Sequence, residues 1–240
     1  MFEGIFRRRR LPHWDVPDAT FFITSCLAGS IPARGLLDLS NYRADLDARP
    51  RPLGQTEEAW ELRKHKLVFA LFDQLLDNEP AAVHLKGPDV ATIVRSSFYH
   101  FANQRYDLLA YVIMPSHFHW VIRPRRDWCD QLEKVPGSAR TPRERIMHSL
   151  KSYTANQCNQ ILKQVGAFWQ DESYDHIVRD DDELMRIIDY VERNPVNARL
   201  TEKPDEWAWS SATDRRRWNL RAGEPLVPSL SAQEVVRTTV

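Results

Sequence analysis

Cysteine is scarce and unpatterned. The 240-residue chain carries three, Cys26, Cys129 and Cys158. An odd number at wide spacing argues against a disulfide framework or a zinc ribbon and leads us to expect a reducing, cytoplasmic setting. Long apolar runs are missing too. The longest, around Leu108–Met114, falls far short of the roughly 20 residues of a membrane span, so no membrane partner is expected. No apolar core follows Arg7–Arg10 near the start, so no secretory signal is expected either. Net charge is also lacking: 33 Lys+Arg stand against 33 Asp+Glu. On its face, neutrality argues against a nucleic-acid binder, whose footprint is usually basic. What is present is 42% hydrophobic and 28% charged residues. That composition and length suit one globular domain with insertions, or two small ones, and exclude a disordered chain.

The neutral total is a sum of patches. Residues 1–13 hold four arginines, Arg7, Arg8, Arg9 and Arg10, against Glu3. Residues 140–151 hold Arg140, Arg143, Arg145 and Lys151 against Glu144. Residues 171–192 hold nine acids against Arg179 and Arg186. Charge is therefore locally strong although it cancels overall.

Phe21–Leu27 is aromatic and β-branched and predicts a strand. The prolines of 47–54 predict a loop. Apolar residues at helical spacing predict a helix over Glu57–Leu76, stopped by Pro80, and another over about 88–103. Leu108–Met114 and His117–Ile122 are β-prone runs broken by Pro115-Ser116, which predicts a hairpin. A polar loop over 124–142 precedes a helix over about 142–164. A last helix is expected over about 181–193, with Asp180 as N-cap, Glu183 at the capping-box position and Asn194-Pro195 as its stop. The order suits an α+β fold, an antiparallel sheet with helices on one side. Three regions are expected: a basic arm over 1–14, a main domain over 15–202 with a helical insertion near 38–80, and a tail over 203–240.

His117-Phe118-His119 is the sharpest cluster of chemistry-bearing residues. On a strand, alternate side chains share a face, so both imidazoles point one way and Phe118 the other. Paired imidazoles on a rigid strand are a platform for a divalent metal. Two tyrosines compete as a nucleophile, Tyr153 and Tyr190. Each has a carboxamide four residues on, Gln157 or Asn194, on the same helical face. Spacing alone does not choose between them.

Val112-Ile-Met-Pro-Ser-His-Phe-His119 resembles the V-x-M-P-[NS]-H-x-H signature of single-tyrosine HUH transposases, where U is a hydrophobic residue. Leu150-Lys-Ser-Tyr-Thr-Ala155, Phe168-Trp-Gln-Asp-Glu-Ser-Tyr-Asp-His-Ile-Val-Arg179 and Ile188-Asp-Tyr-Val-Glu-Arg-Asn-Pro-Val-Asn197 are similar to the segments that follow in that family. Arg8–Trp14 and Trp207–Ser211 have counterparts as well. The branch most resembled is the REP-associated tyrosine transposases, whose targets are palindromic hairpins.

The resemblance implies a ferredoxin-like HUH endonuclease core with insertions. It maps the nucleophile onto Tyr190 and leaves Tyr153, commonly Phe in relatives, to packing. It implies His117, His119 and Asn194 as ligands of Mg²⁺ or Mn²⁺, and cleavage of single-stranded or hairpin DNA through a 5′-phosphotyrosine. Gln170, Tyr174, Asp175 and His176 take supporting roles. Arg7, Arg8, Arg9, Arg10, Arg125, Arg126, Arg143 and Lys151 are the expected phosphate contacts. A bacterial, nucleoid-associated protein, monomeric or homodimeric, is the expected setting. The competing readings are a domesticated protein that binds palindromic DNA without cutting it and a phosphohydrolase of the histidine-triad kind. The latter needs a third histidine where Val121 stands.

Overall fold

The computed structural model describes residues 5–8, 12–15, 19–77, 80–133, 140–171 and 173–227. Strands β1 (Ile5–Arg8) and β2 (Pro12–Asp15) pair antiparallel, Arg7 opposite His13 and Arg8 opposite Pro12. Then follow β3 (Thr20–Cys26), the helices α1 (Ala33–Ala48) and α2 (Glu57–Asp77), a 3₁₀ turn at His84–Lys86, and α3 (Pro88–His100). The hairpin strands are β4 (Tyr106–Ile113) and β5 (His117–Pro124). After them come α4 (Arg126–Glu133), α5 (Pro142–Leu162), β6 (Tyr174–Val178), α6 (Asp181–Asn197), a second 3₁₀ turn at Pro204–Glu206, and α7 (Ser211–Trp218).

The four long strands form one sheet in the order β4-β5-β3-β6, each neighbour antiparallel. With α3 and α5 as its two crossovers, this is the split β-α-β-β-α-β ferredoxin-like arrangement. Alternation along the strands builds two cores. Phe21, Ile23, Phe118, Trp120 and Ile122 face α3 and α5, meeting Val94, Phe98, Ile146 and Leu150. Phe22, Val112 and Val121 face the other way and meet Phe72 and Leu76 of α2 and Leu184, Ile188 and Val191 of α6. A bulge between Leu108 and Ala110 resets the alternation, so Leu108 and Tyr111 share one core while Leu109, Ala110 and Val112 belong to the other.

The α+β class and the antiparallel sheet agree with the sequence reading, and the two ferredoxin-like helices do lie on one face. The opposite face is not bare, however: α2 and α6 cover it. The loop expected over 124–142 contains α4, and Tyr174–Val178 is a strand.

Helix ends follow their caps. Thr141 and Glu144 form a reciprocal capping box under Pro142. Asp180 accepts from the Glu183 N–H at 2.6 Å, whereas the Glu183 carboxylate turns to the Arg179 N–H at 3.0 Å. α6 also runs through Pro195 instead of stopping before it. The proline sits in the last turn, and the Ala198 N–H closes onto Asn194 O at 2.9 Å beyond it.

The backbone of residues 204–227 covers the edge of β4: Ser210 bridges Val112, and the Leu226 N–H donates to Leu108 O at 2.7 Å. No described helix is long and apolar enough to cross a membrane.

Candidate metal and catalytic site

His117 and His119 are both buried, on the face of β5 that meets α2 and α6. Their Nε2 atoms stand 3.2 Å apart. Each ring is held from behind at Nδ1, His117 by Ser116 Oγ at 3.0 Å and His119 by Thr24 Oγ1 at 2.8 Å. Ser116 spends its own proton on Leu76 O at 3.2 Å. It must therefore accept from His117 Nδ1–H, and this tautomer leaves a lone pair on His117 Nε2. Burial, with His119 as neighbour, pushes the His117 pKa down to about 3, so the ring stays neutral and able to ligate.

α6 brings Tyr190 and Asn194 to this pair, four residues apart on one helical face. Asn194 Nδ2 lies 3.3 Å from His119 Nε2. The Tyr190 ring lies 5.4 Å from that of His119, with its edge toward Phe22 and Phe69. Its hydroxyl donates to Asp73 Oδ2. Burial and then the charge of Asp73 raise the phenol's pKa above its ordinary value.

Asp73, from α2, completes the cluster. One oxygen approaches His119 Nε2 at 3.4 Å, and the ligand atoms of Asp73, His117 and His119 all lie within 4.8 Å of one another. Burial pushes the carboxyl up, but His119, His117 and the Tyr190 hydroxyl outweigh it and hold Asp73 below the usual carboxylate value.

These residues fit a divalent cation. Two imidazole nitrogens and a carboxylate converge, and Asp73 Oδ1 and Asn194 Oδ1 are buried without a hydrogen-bond partner. Such orphaned acceptors are costly in a folded interior unless something positive meets them.

The structure therefore places His117, His119, Tyr190 and Asn194 together. Tyr153 is elsewhere: it is 51% exposed on α5, which packs against the opposite face of the sheet. Sequence reasoning missed Asp73. The available signal was a carboxylate on the stripe of α2 shared by Phe69, Phe72 and Leu76, where burial demands a partner.

The expected phosphate contacts separate. Arg143 is 4% exposed and its guanidinium pairs with buried Asp175, so it packs under the sheet rather than facing solvent. Lys151 donates to the carbonyls of Gln170 at 2.8 Å and Asp171 at 3.3 Å, tethering that loop to α5. Arg125 pairs with Asp107 and Asp127. Arg126 is exposed at the start of α4. Arg7 and Arg8 stand on β1, Arg9 and Arg10 lie outside the described residues, and the side chains of all four are undescribed. Tyr174 stacks on Phe69 with ring centres 4.1 Å apart and meets His65 Nδ1 at 3.0 Å, a buttress for the wall beside Tyr190.

No protein-family model matches the chain, and no curated protein matches it. Among solved structures, a REP-associated tyrosine transposase bound to a REP hairpin is similar to it at 15% identity and a TM-score of 0.51. The likeness covers 95% of this chain and 99% of that one. At this identity it shows a shared fold, spanning nearly the whole of both chains.

Proposed function

We propose that the protein is a metal-dependent DNA-nicking and strand-transfer enzyme that acts on single-stranded DNA next to a hairpin, with Tyr190 as nucleophile. The observation that carries this reading is the convergence of Tyr190 and Asn194, from one helix, on the buried His117/His119 pair. The solved structure of like fold is a transposase bound to a REP hairpin, which supports the same class of partner here.

His117, His119, Asp73 and Asn194 are the residues that would hold the cation. Imidazole among oxygen donors suits Mn²⁺ as well as Mg²⁺. When bound, a divalent cation supplies Lewis-acid polarisation of a phosphate oxygen and a positive charge to offset that of Asp73. Asp73 Oδ2 orients the Tyr190 hydroxyl through their hydrogen bond and is the acceptor positioned for its proton. Tyr190 Oη then forms a bond to phosphorus, and the bond from phosphorus to the 3′ oxygen breaks. The products are a 5′-phosphotyrosine and a strand ending in a 3′-OH, which takes up one proton. Attack by another 3′-OH reverses the step and joins strands without a nucleotide cofactor. Phe22 and Phe69 wall the phenol and exclude water from its inner side.

The test is a nicking assay on a hairpin with single-stranded flanks, with and without Mn²⁺. We expect cut product and a covalent protein–DNA species only with metal. The same outcome is expected for Tyr153→Phe, and neither product for Tyr190→Phe. Tight hairpin binding with no cut product under any metal would instead identify a non-cleaving binder.

A further inference from the structure

Glu192 lies between Tyr190 and Asn194 in sequence but on the other flank of α6, about 200° around the helix from Tyr190 at the ordinary 3.6 residues per turn. The core-facing residues Leu184, Ile188 and Val191 lie between the two flanks. Glu192 is gripped from α7: Ser211 Oγ donates to its Oε1 at 2.7 Å and Arg215 Nε at 2.8 Å. Both donors are buried, Ser211 at 0% and Arg215 at 5% exposure.

The same two residues hold β4. Ser211 Oγ accepts from the Tyr111 N–H at 3.1 Å. Arg215 Nη2 donates to the carbonyl of Leu109, the residue that the β4 bulge leaves out of the ladder. Arg215 Nη1 closes the turn behind it on Arg221 O at 2.8 Å and Glu224 O at 3.0 Å. β4 is the strand that pairs with β5, Val112 opposite His119. The path Leu109–Arg215–Glu192, doubled by Tyr111–Ser211–Glu192, thus ties the hairpin that bears the histidines to the helix that bears the tyrosine.

We propose that Arg215 and Ser211, acting through Glu192, are positioning residues that set the rotation and height of α6 against the His117/His119 pair. The apolar face alone does not fix these two coordinates, because hydrophobic contact is non-directional. Two directed bonds on the far flank do fix them. The geometry they protect is tight: Asn194 Nδ2 is 3.3 Å from His119 Nε2, and a shift of one residue would move it by about 1.5 Å and 100°. This inference rests on the reading of Tyr190 and Asn194 given above.

The test uses the full chain and three readouts: Mn²⁺ affinity without DNA by electron paramagnetic resonance, amide hydrogen exchange over 188–197, and the single-turnover rate of covalent capture of a hairpin substrate. For Glu192→Ala, Mn²⁺ affinity and capture rate should each fall about 10–100-fold, the scale for supports behind a metal site. Exchange over 188–197 should quicken, and the hairpin concentration for half-maximal rate should stay as in the wild type. Glu192→Gln keeps an acceptor oxygen and should recover most of both losses. Wild-type Mn²⁺ affinity and capture rate per folded molecule in Glu192→Ala overturn the proposal. If that variant does not fold, Ser211→Ala removes one of the two bonds, and the same comparison is made on it, with a smaller loss of the same sign expected. A wild-type chain that captures no DNA counts against Tyr190 as nucleophile. Metal affinity and exchange still decide the positioning role in that case.

Discussion

Two imidazole nitrogens stand 3.2 Å apart, each ring braced at its far side by a hydroxyl. The tautomer that Ser116 sets leaves a lone pair on His117 Nε2, open to a hydrogen bond from His119 or to a cation, and Asp73 adds a negative charge at the same point. Removing that charge is therefore informative. Asp73→Ala should weaken Mn²⁺ binding by at least about tenfold, measured by titration of the DNA-free protein. It should also leave the Tyr190 hydroxyl without its acceptor. Asp73 was hidden from sequence reasoning because its place is set by α2, an insertion 44 positions before His117, and no spacing rule connects them. The choice between Tyr153 and Tyr190 was equally illegible from spacing, since both carry a carboxamide at i+4. The two helices pack on opposite faces of the sheet, α6 on the face that bears the histidines.

Glu183 ties stability to pH. Burial pushes its carboxyl up, but the Arg179 side chain and N–H, Lys66 and His176 outweigh this and hold it well below the ordinary carboxylate value. The folded state therefore binds that proton more weakly than the unfolded chain. The stabilisation is fully present above the unfolded value of about 4.3 and is lost as pH falls through and below it. The difference in Tm between wild type and Glu183→Gln should accordingly be larger at pH 7 than at pH 3. A gap that does not narrow would contradict the ion-pair account.

At the scale of elements, the hairpin, the capped helices and the first strand of the sheet were readable because each carries its own signal. Pro115-Ser116 breaks the β-prone run, Thr141-Pro142 and Asp180 open helices, and Phe21–Cys26 is rich in strand formers. The elements that escaped lack one. α1, which overlaps the helical insertion expected near 38–80, buries only Gly35 and Leu46 and so has no apolar stripe to give its bounds. β6 reads Tyr-Asp-His-Ile-Val, and its polar residues are tolerated indoors only because distant partners meet them, Arg143 for Asp175 and Glu183 for His176. That dependence is testable. Arg143→Met leaves the Asp175 charge buried without its cation, at a cost of about 3–5 kcal/mol. For a chain of this size that lowers Tm by roughly 6–20 °C by thermal denaturation. Arg143→Met/Asp175→Asn should recover part of it. Had Arg143 served only as a surface phosphate contact, its removal would leave Tm unchanged.

At the scale of the whole molecule, zero net charge no longer speaks against DNA. It reflects cancelling patches, several of them consumed inside the fold: Arg143, Arg215 and Glu183 are all buried and paired. The charge left for a partner is local, so binding should be salt-sensitive in proportion to a few contacts. If exposed Arg126 touches a phosphate, Arg126→Ala should lower the slope of log affinity against log salt by about 1 while leaving Tm as it was. Residues 204–227, Trp- and Arg-rich in sequence, cover the edge strand β4, which a sheet must hide from other chains. That role depends on backbone bonding, which has no compositional signature.

The most direct measurement is the mass of the peptide that becomes attached to DNA. Wild-type protein, Mn²⁺ and a hairpin with single-stranded flanks are incubated, digested and analysed by tandem mass spectrometry. We expect a 5′-phosphonucleotide on Tyr190, in the peptide that contains Val191 and Glu192, and none on Tyr153. Attachment at Tyr153, or cleavage of the DNA with no attached peptide at all, would contradict it.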